Sequence, residues 1–172
     1  MNKVFTFELE APPGRVAEAL CSEAFHLASE AERGEVISTR FELIERTKER
    51  VVFEVQSTEY KRKKTGGIDR GATQRSVTRN RYDVRAGTIS WEYEGVGAQW
   101  VRCTGVYHLL PSGDQGTRIE HTVTIKVSVP LIGERIARYI VGEFETAWRR
   151  FCALLPRHLP TRPPAFQGQD PI

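Results

Sequence analysis

The stretch from Thr122 to Leu155, TVTIKVSVPLIGERIARYIVGEFETAWRRFCALL, changes its hydrophobic period at a single proline. Before Pro130 apolar and polar residues alternate, which is typical of a half-buried strand. After it the apolar residues recur every three or four positions, which predicts an amphipathic helix over about residues 131–155. Pro130 cannot donate to a sheet ladder, so the strand must end there. We therefore predict a long strand followed at once by a long helix with one apolar face.

The rest of the chain predicts an antiparallel sheet with short links. A first strand over residues 3–9 precedes two short helices, one within APPGRVAEAL and one over about residues 23–33, capped by Ser22. Six further segments have a period of two and are separated by turn-like pieces such as KTGGIDRG and PSGDQG. These predicted strands are residues 35–45, 50–60, 74–85, 88–95, 100–110 and 117–129.

This order of elements predicts the α+β class. A seven-stranded antiparallel sheet must cover one face, and the terminal helix is the element available to cover it. We predict one domain over residues 1–156. The tail that follows, residues 157–172, is rich in proline and lacks periodicity, so we predict that it is disordered.

Composition limits the class of protein. The chain has 172 residues, of which 40% are hydrophobic and 27% charged, and this composition is typical of a single globular domain. No apolar run approaches the ~18 residues of a membrane span, and the N-terminus lacks the apolar core of a secretory signal. The three cysteines are too scattered for a disulfide framework. These features predict a reduced, cytoplasmic protein.

The order strand, two short helices, six strands and long helix resembles the helix-grip fold of the START-like or SRPBCC superfamily, over roughly residues 3–155. Two segments, VSVPLIGERIARYI and SEAFHLASEAERG, resemble the strand–helix junction and the second helix of an uncharacterised bacterial branch. The resemblance implies a curved sheet wrapped around the C-terminal helix, with a cavity between them. It does not select a function, because the superfamily includes binders, transporters, cyclases and interaction modules.

The inward faces of the strands and the apolar face of the helix predict the lining of such a cavity. The lining would be rich in aromatic side chains, which supply apolar contact area and, in tyrosine and tryptophan, a polar tip. The alternative is that these side chains simply fill the core. The candidate ligand-binding residues are Phe41, Phe53, Trp91, Tyr93, Tyr107, His121, Tyr139, Ile140, Phe144 and Trp148.

His121 lies in the middle of an apolar strand, on the face assigned inward. A buried neutral imidazole needs a hydrogen-bond partner, and Tyr107 or a ligand would serve. The alternative is a core histidine satisfied by a neighbouring hydroxyl. An enzyme would have to rest on His121, Tyr93, Tyr107 or Glu59. The histidines and cysteines have no metal-ligand spacing, and nucleotide and nucleophile motifs are missing, so we predict no cofactor, no metal and no catalytic residue.

Positive charge is concentrated in the segment YKRKKTGGIDRGATQRSVTRNRYD. If its alternating arginines face solvent, they form a patch for an anionic membrane or, with less support, a nucleic acid. Small polar residues of the same strand would then face the cavity. If an arginine faces inward, it would hold a ligand anion; a charged sheet edge that resists aggregation is a third possibility. The patch residues are Lys61, Arg62, Lys63, Lys64, Arg75, Arg79 and Arg81.

The favoured prediction is therefore binding or transport of a hydrophobic small molecule, such as a lipid, polyketide or isoprenoid, between the sheet and the C-terminal helix. One alternative is a cyclase- or dehydratase-like enzyme that uses the same pocket. Another is an RNA- or protein-interaction module that uses the basic hairpin at residues 60–85.

Overall fold

The computed structural model describes residues 1–62, 68–95 and 100–161. Within these ranges the chain forms seven strands, three α-helices and a final 3₁₀ turn. In chain order they are β1 (Asn2–Leu9), α1 (Pro13–Leu20), α2 (Glu23–Ala31), β2 (Val36–Arg46), β3 (Arg50–Arg62), β4 (Ile68–Asp83), β5 (Thr88–Glu94), β6 (Val101–Ser112), β7 (Gly116–Val127), α3 (Gly133–Leu154) and the turn Leu155–His158.

The strands form one antiparallel sheet in the order β1-β7-β6-β5-β4-β3-β2. Strands β2 to β7 follow one another as a meander, and β1 pairs with β7 in the register Phe5 opposite His121. The N-terminal amino group donates to the carbonyl of Ile125 at 2.6 Å, which holds the start of the chain to β7. Helix α3 packs on β7 and β1, and α2 packs on β2. The predicted architecture is confirmed.

Local chemistry explains where the helices begin. The hydroxyl of Ser22 accepts a hydrogen bond from the Phe25 amide at 3.2 Å and caps α2, as predicted. Pro13 opens α1, where its missing N–H costs nothing. Leu131 has a φ of 66°, a left-handed conformation that turns the chain sharply between β7 and α3. Helix α3 therefore starts at Gly133, two residues later than predicted.

Two predicted boundaries are corrected. Strand β4 begins at Ile68 rather than at residue 74, because Ile68 and Asp69 pair with the end of β3 beyond a register shift. The centre of that hairpin, residues 63–67, lies outside the described residues. The packed chain also extends past residue 156, since Leu159 packs against the core and the guanidinium of Arg15 donates to the Pro160 carbonyl at 3.0 Å through Nε. Residues 162–172 lie outside the described part of the chain.

The apolar core is dense at one end of the domain. There α1, α2 and the C-terminal end of α3 pack against β3, β5 and β7, and the side chains of Val16, Phe53, Ile119 and Leu155 are fully buried. A second cluster of buried side chains lies under the N-terminal half of α3, around Trp91 and Val123. His121 of β7 is buried, as predicted, together with Ile119, Val123 and Ile125 on the same face of the strand.

Candidate functional site

A cavity lies between the concave face of the sheet, α2 and the middle of α3. It has an inner chamber of about 220 Å³ and an outer chamber of about 500 Å³. The two chambers have several lining residues in common, so they adjoin each other. The shared residues are Ser29, Glu30, Tyr93, Phe144 and Ala147.

Aromatic rings dominate the inner chamber. The ring of Phe144 on α3 stacks on Trp91 of β5 at 5.7 Å between centroids, and Trp148 stacks on Phe151 at 4.8 Å. Of the ten side chains predicted from sequence, six line this chamber and Ile140 lines the outer one. The six are Trp91, Tyr93, Tyr107, His121, Phe144 and Trp148.

The remaining three predicted side chains lie elsewhere. Phe41 and Phe53 stack on each other at 5.1 Å within the packed core. Both side chains point inward as expected, but α2 covers them and separates them from the cavity. Tyr139 is 52% exposed on the outer side of α3, so its assignment to the lining is wrong. Helical periodicity places Tyr139 and Ile140 next to each other at the border of the apolar face, and only Ile140 turns inward.

A tryptophan–histidine hydrogen bond crosses the floor of the inner chamber. The indole Nε1–H of Trp91 on β5 donates to Nε2 of His121 on β7 at 3.0 Å. Strand β6 lies between them, and the residue opposite Trp91 is Gly105. A Cβ atom at Gly105 would lie 2.5 Å from the indole ring. The missing side chain therefore lets the indole lie across β6 and reach His121.

His121 is neutral in this setting. Its ring stacks on Tyr107 with centroids 3.9 Å apart and planes 15° apart. Burial disfavours the charged imidazolium and lowers the pKa of His121 to about 3. The predicted burial is correct. Of the two predicted partners, Tyr107 stacks on the ring, and Trp91 supplies the hydrogen bond at Nε2 in its place; a ligand as partner stays a prediction. A histidine with so low a pKa is a weak general base at neutral pH.

A second histidine, His26 on α2, also lines the inner chamber. Its Nε2 lies 2.8 Å from the Leu20 carbonyl oxygen, which only accepts, so Nε2 carries the proton. Burial lowers the pKa of His26 to about 4. No local pattern in the sequence singles out this residue. Helix α2 has only nine residues. Its hydrophobic pattern is too short to show that His26 faces a cavity.

The outer chamber is charged. Arg33 lies at its wall and forms ion pairs with Glu59 at 2.6 Å, Glu30 at 2.9 Å and Glu35 at 3.2 Å. Burial opposes the charge of Arg33, but these carboxylates outweigh burial and raise its pKa. Glu59 is 3% exposed and also accepts a hydrogen bond from the side-chain amide of Gln74 at 2.8 Å. The cavity thus passes from a charged outer part to an aromatic inner part.

Strand β4 turns its small polar side chains toward the cavity. Ser76 and Asn80 are buried, and Thr78 and Asn80 line the inner chamber. The arginines of the same strand, Arg75 and Arg81, are exposed on the convex face. Of the alternatives stated for this strand, the outward orientation of the arginines is the observed one.

Among the described residues, the convex face around β4 carries both positive and negative side chains. Arg79 forms ion pairs with Glu54 at 2.8 Å and Glu94 at 2.5 Å, so its charge is compensated by neighbouring strands. Lys61 is exposed, whereas the side chains of Arg62, Lys63 and Lys64 lie outside the described residues. Strand β4 pairs with β3 and β5, so the interpretation as a protective sheet edge is wrong.

Within residues 1–62, 68–95 and 100–161, no group of three His, Cys, Asp or Glu side chains is arranged to hold a metal ion. The helices of the same ranges are too short or too polar to cross a bilayer. The three cysteines are free thiols. Burial raises the pKa of Cys21 to about 12 and that of Cys152 to about 11, so both stay protonated at neutral pH.

Solved structures with this architecture are similar over nearly the whole chain. TTHA0849 from Thermus thermophilus has a TM-score of 0.62 at 18% identity and covers 92% of this chain and 97% of its own. The Zhui aromatase/cyclase from a Streptomyces species has a TM-score of 0.57 at 13% identity, covering 94% and 96%. A START superfamily protein from Mycobacterium smegmatis has a TM-score of 0.56 at 12% identity, covering 92% and 96%. At these identities the likeness shows the helix-grip fold.

Sequence comparison gives a family without a described activity. No functionally curated protein matches the chain. A family model described as a protein of unknown function, DUF2505, matches residues 4–158, which include nearly all of the seven strands and the three α-helices. The chain therefore belongs to the DUF2505 family, and its fold is the helix-grip fold of the START-like superfamily.

Proposed function

We propose that this protein binds a hydrophobic small molecule, of the lipid, polyketide or isoprenoid type, in the cavity beneath α3. The observation that supports this most is the open space in the inner chamber, bounded by Trp91, Tyr107, Phe144, Trp148 and Phe151. Protein interiors are normally packed to the density of organic crystals, so a hollow lined by large aromatic rings is unusual. Ligand pockets combine such apolar walls with a few polar groups, here Thr78, Asn80 and His121.

The charged outer chamber supports a defined orientation. An amphiphilic ligand would place its hydrocarbon part against the aromatic rings and its polar end near Arg33 and Glu59. The cavity thus offers apolar walls, neutral polar contacts and a charged outer chamber. Together these groups would favour an amphiphile over a plain hydrocarbon. Structural neighbours that are named aromatase/cyclases support a small-molecule ligand in this cavity.

The test is native mass spectrometry of gently purified protein, followed by organic extraction. We expect a reproducible adduct that Phe144→Ala weakens or removes. Tyr139→Ala is the matched control, because Tyr139 is on the same helix but exposed. If the wild-type protein carries no adduct and takes up none from a panel of fatty acids, sterols and polycyclic aromatics, the binding function is refuted.

A second candidate is a cyclase- or dehydratase-like activity in the same cavity, and the buried Glu59–Arg33 pair is the observation that favours it. Glu59 is the most buried carboxylate of the outer chamber, and a buried carboxylate beside Tyr93 at a cavity wall is placed for proton transfer. His121 is less suited to this role because its pKa is low.

Trapped intermediates would reveal such an activity. In Glu59→Gln, Arg33 keeps its ion pairs with Glu30 and Glu35, so the fold is expected to survive. A dehydratase would release its product, so wild-type protein would carry no adduct, whereas the variant would retain substrate. Wild-type protein incubated with the molecule extracted from the variant would make a compound lighter by the mass of one water. Identical molecules from both proteins would argue for a carrier.

Peripheral contact with an anionic membrane is a further part of the proposal. Trp100 is 53% exposed and Leu131 fully exposed, and the Ser128 amide donates to the Trp100 carbonyl at 2.7 Å, which brings the two loops together. Val101, next to Trp100, lines the outer chamber. Exposed tryptophan and aliphatic side chains near cations such as Lys126 are suited to the interface of an anionic bilayer.

Sedimentation with vesicles tests this contact. We expect binding to phosphatidylcholine vesicles containing phosphatidylglycerol, weakened by salt and by the double change Trp100→Ser and Leu131→Ser. The control replaces exposed apolar residues of β2, Leu43→Ser and Ile44→Ser, which are remote from these loops. Salt-sensitive binding to RNA without binding to vesicles would instead favour the interaction module.

A further inference from the structure

The hydrogen bond between Trp91 and His121 determines which ring nitrogen of His121 carries the proton. An indole N–H can donate but cannot accept. His121 Nε2, 3.0 Å from Trp91 Nε1, must therefore be the acceptor and carry the lone pair. In a neutral imidazole the proton is then on Nδ1. The tautomer follows from the chemistry of the partner and needs no observed hydrogen.

The protonated nitrogen has no partner. His121 is 4% exposed, and its Nδ1 is buried without a hydrogen-bond partner among the residues that the structure describes. Buried donors are nearly always satisfied in folded proteins, so an unsatisfied one on a residue that lines the inner chamber needs an explanation. The ring cannot turn to find another partner, because Tyr107 stacks on one face and Phe5 and Trp148 pack around it.

We propose that the Nδ1–H of His121 is a recognition site for a neutral hydrogen-bond acceptor on the ligand, such as the carbonyl oxygen of a ketone, ester or quinone. This inference rests on the proposed binding function and specifies the ligand's chemistry at the inner end of the cavity. A carbonyl oxygen satisfies the donor without bringing charge into the aromatic chamber. An ammonium group has no acceptor to offer, and a carboxylate would be buried without a counter-charge.

The position of His26 is consistent with a ligand that has more than one polar atom. His26 lines the same chamber but has the opposite tautomer, because its Nε2 donates to the Leu20 carbonyl. Its Nδ1 therefore carries a lone pair. The chamber thus contains one histidine that offers a donor and one whose remaining nitrogen is an acceptor, a pair that suits an oxygenated rather than a fully hydrocarbon molecule.

The first experiment measures the tautomer in the wild-type protein. With ¹⁵N-labelled histidine, long-range ¹H–¹⁵N correlation spectra distinguish a protonated nitrogen from a bare one, and His121→Gln identifies the signals of His121. We expect a protonated Nδ1 and a bare Nε2 in His121. The opposite tautomer would overturn the inference without affecting the proposed binding function.

The second experiment compares two probes that differ only at the acceptor, 2-acetylnaphthalene and 2-ethylnaphthalene, by fluorescence titration. We expect the ketone to bind roughly tenfold more tightly to the wild type, because it satisfies a buried donor that the ethyl compound leaves unpaired. His121→Phe should abolish the preference. His121→Gln, whose amide can accept from Trp91 and donate to the ligand, should restore much of it.

Each other outcome has a distinct meaning. Equal affinities of the two probes in the wild type would overturn the inference while leaving the cavity a hydrophobic binding site. Failure of both probes to enter the cavity would remove the proposed binding of such molecules, and the inference would fall with it. A preference for the ketone that persists in His121→Phe would assign the acceptor contact to another residue.

Discussion

The C-terminal end and the middle of α3 differ in how tightly they are packed, although the helix has one continuous apolar pattern. At its C-terminal end Leu154 is 6% exposed, the following Leu155 is fully buried, and Phe151 meets Phe25 edge-on at 5.6 Å. In the middle, Phe144 and Ala147 face open space. The same spacing of apolar residues thus makes solid core at one end and the roof of a cavity in the middle.

What lies opposite the helix causes the difference. Helices α1 and α2 fill the space under its C-terminal end with Val16, Leu20 and Phe25. Under its middle the sheet presents Trp91, which stacks on Phe144, next to smaller side chains such as Thr78 and Cys103 that leave open space. A helix alone cannot show whether its apolar face is packed or roofs a hollow, because that depends on the volume of the facing side chains.

The largest expected effect comes from truncating the packed end. Leu154→Ala should lower the free energy of unfolding by about 3 kcal/mol, because it leaves a cavity in dense core. Phe144→Ala should cost about 1 kcal/mol, since it removes a half-buried ring that already borders open space. Urea unfolding measures both. Equal losses would mean that the middle of α3 is packed as tightly as its end.

Gly105 tests the floor of the cavity. Gly105→Ala places a methyl group against the indole of Trp91 and should lower the free energy of unfolding by about 2 kcal/mol. It should also disturb the hydrogen bond to His121, visible in the ¹⁵N spectrum.

The control is another glycine of the same molecule. A Cβ at Gly142, on α3, would meet no atom within 4 Å, so Gly142→Ala should stabilise the protein by about 0.5 to 1 kcal/mol. If Gly105→Ala proves as harmless as this control, the indole does not lie across β6.

Lowering the pH should reduce the free energy of unfolding, because His121 in the cavity floor resists protonation. The pKa of His121 is about 3 in the folded protein against an ordinary value of 6.5, so between these values the unfolded chain binds a proton that the folded chain excludes. Stability therefore falls as pH decreases below about 6.5, by up to about 1.4 kcal/mol per pH unit for this residue. His26, with a pKa of about 4, adds to the loss until about pH 4.

Urea unfolding at pH 7, 6 and 5 would show this slope. His121→Gln removes one titrating group, so the variant should lose less stability than the wild type over the same interval. Carboxylates contribute equally to both proteins and cancel in the difference. Parallel slopes for the two proteins would mean that the pKa of His121 in the folded protein is close to its ordinary value.

Much of the fold could be predicted from the sequence because it depends on local patterns. The period-two segments, the Ser22 cap and the apolar face of α3 each depend on a few neighbouring residues, and all are found in the structure. The last strand ends at Val127, two residues before the predicted end at residue 129. Predictions failed where a distant element intervened. Phe41 and Phe53 face inward but are covered by α2, and β4 begins early because the end of β3 extends alongside it.

The sequence by itself determined that alternate side chains of β7, including His121, face the interior, because alternation is a property of the local backbone. It left open which face of β4 points inward, and the tertiary structure decided this in favour of the small polar side chains. Only the tertiary structure decided that the interior is hollow beneath Phe144 and that Trp91 bonds to His121. Both depend on how surfaces from distant parts of the chain meet. The proton on His121 Nδ1 follows from a partner 30 residues away, and no local pattern contains that information.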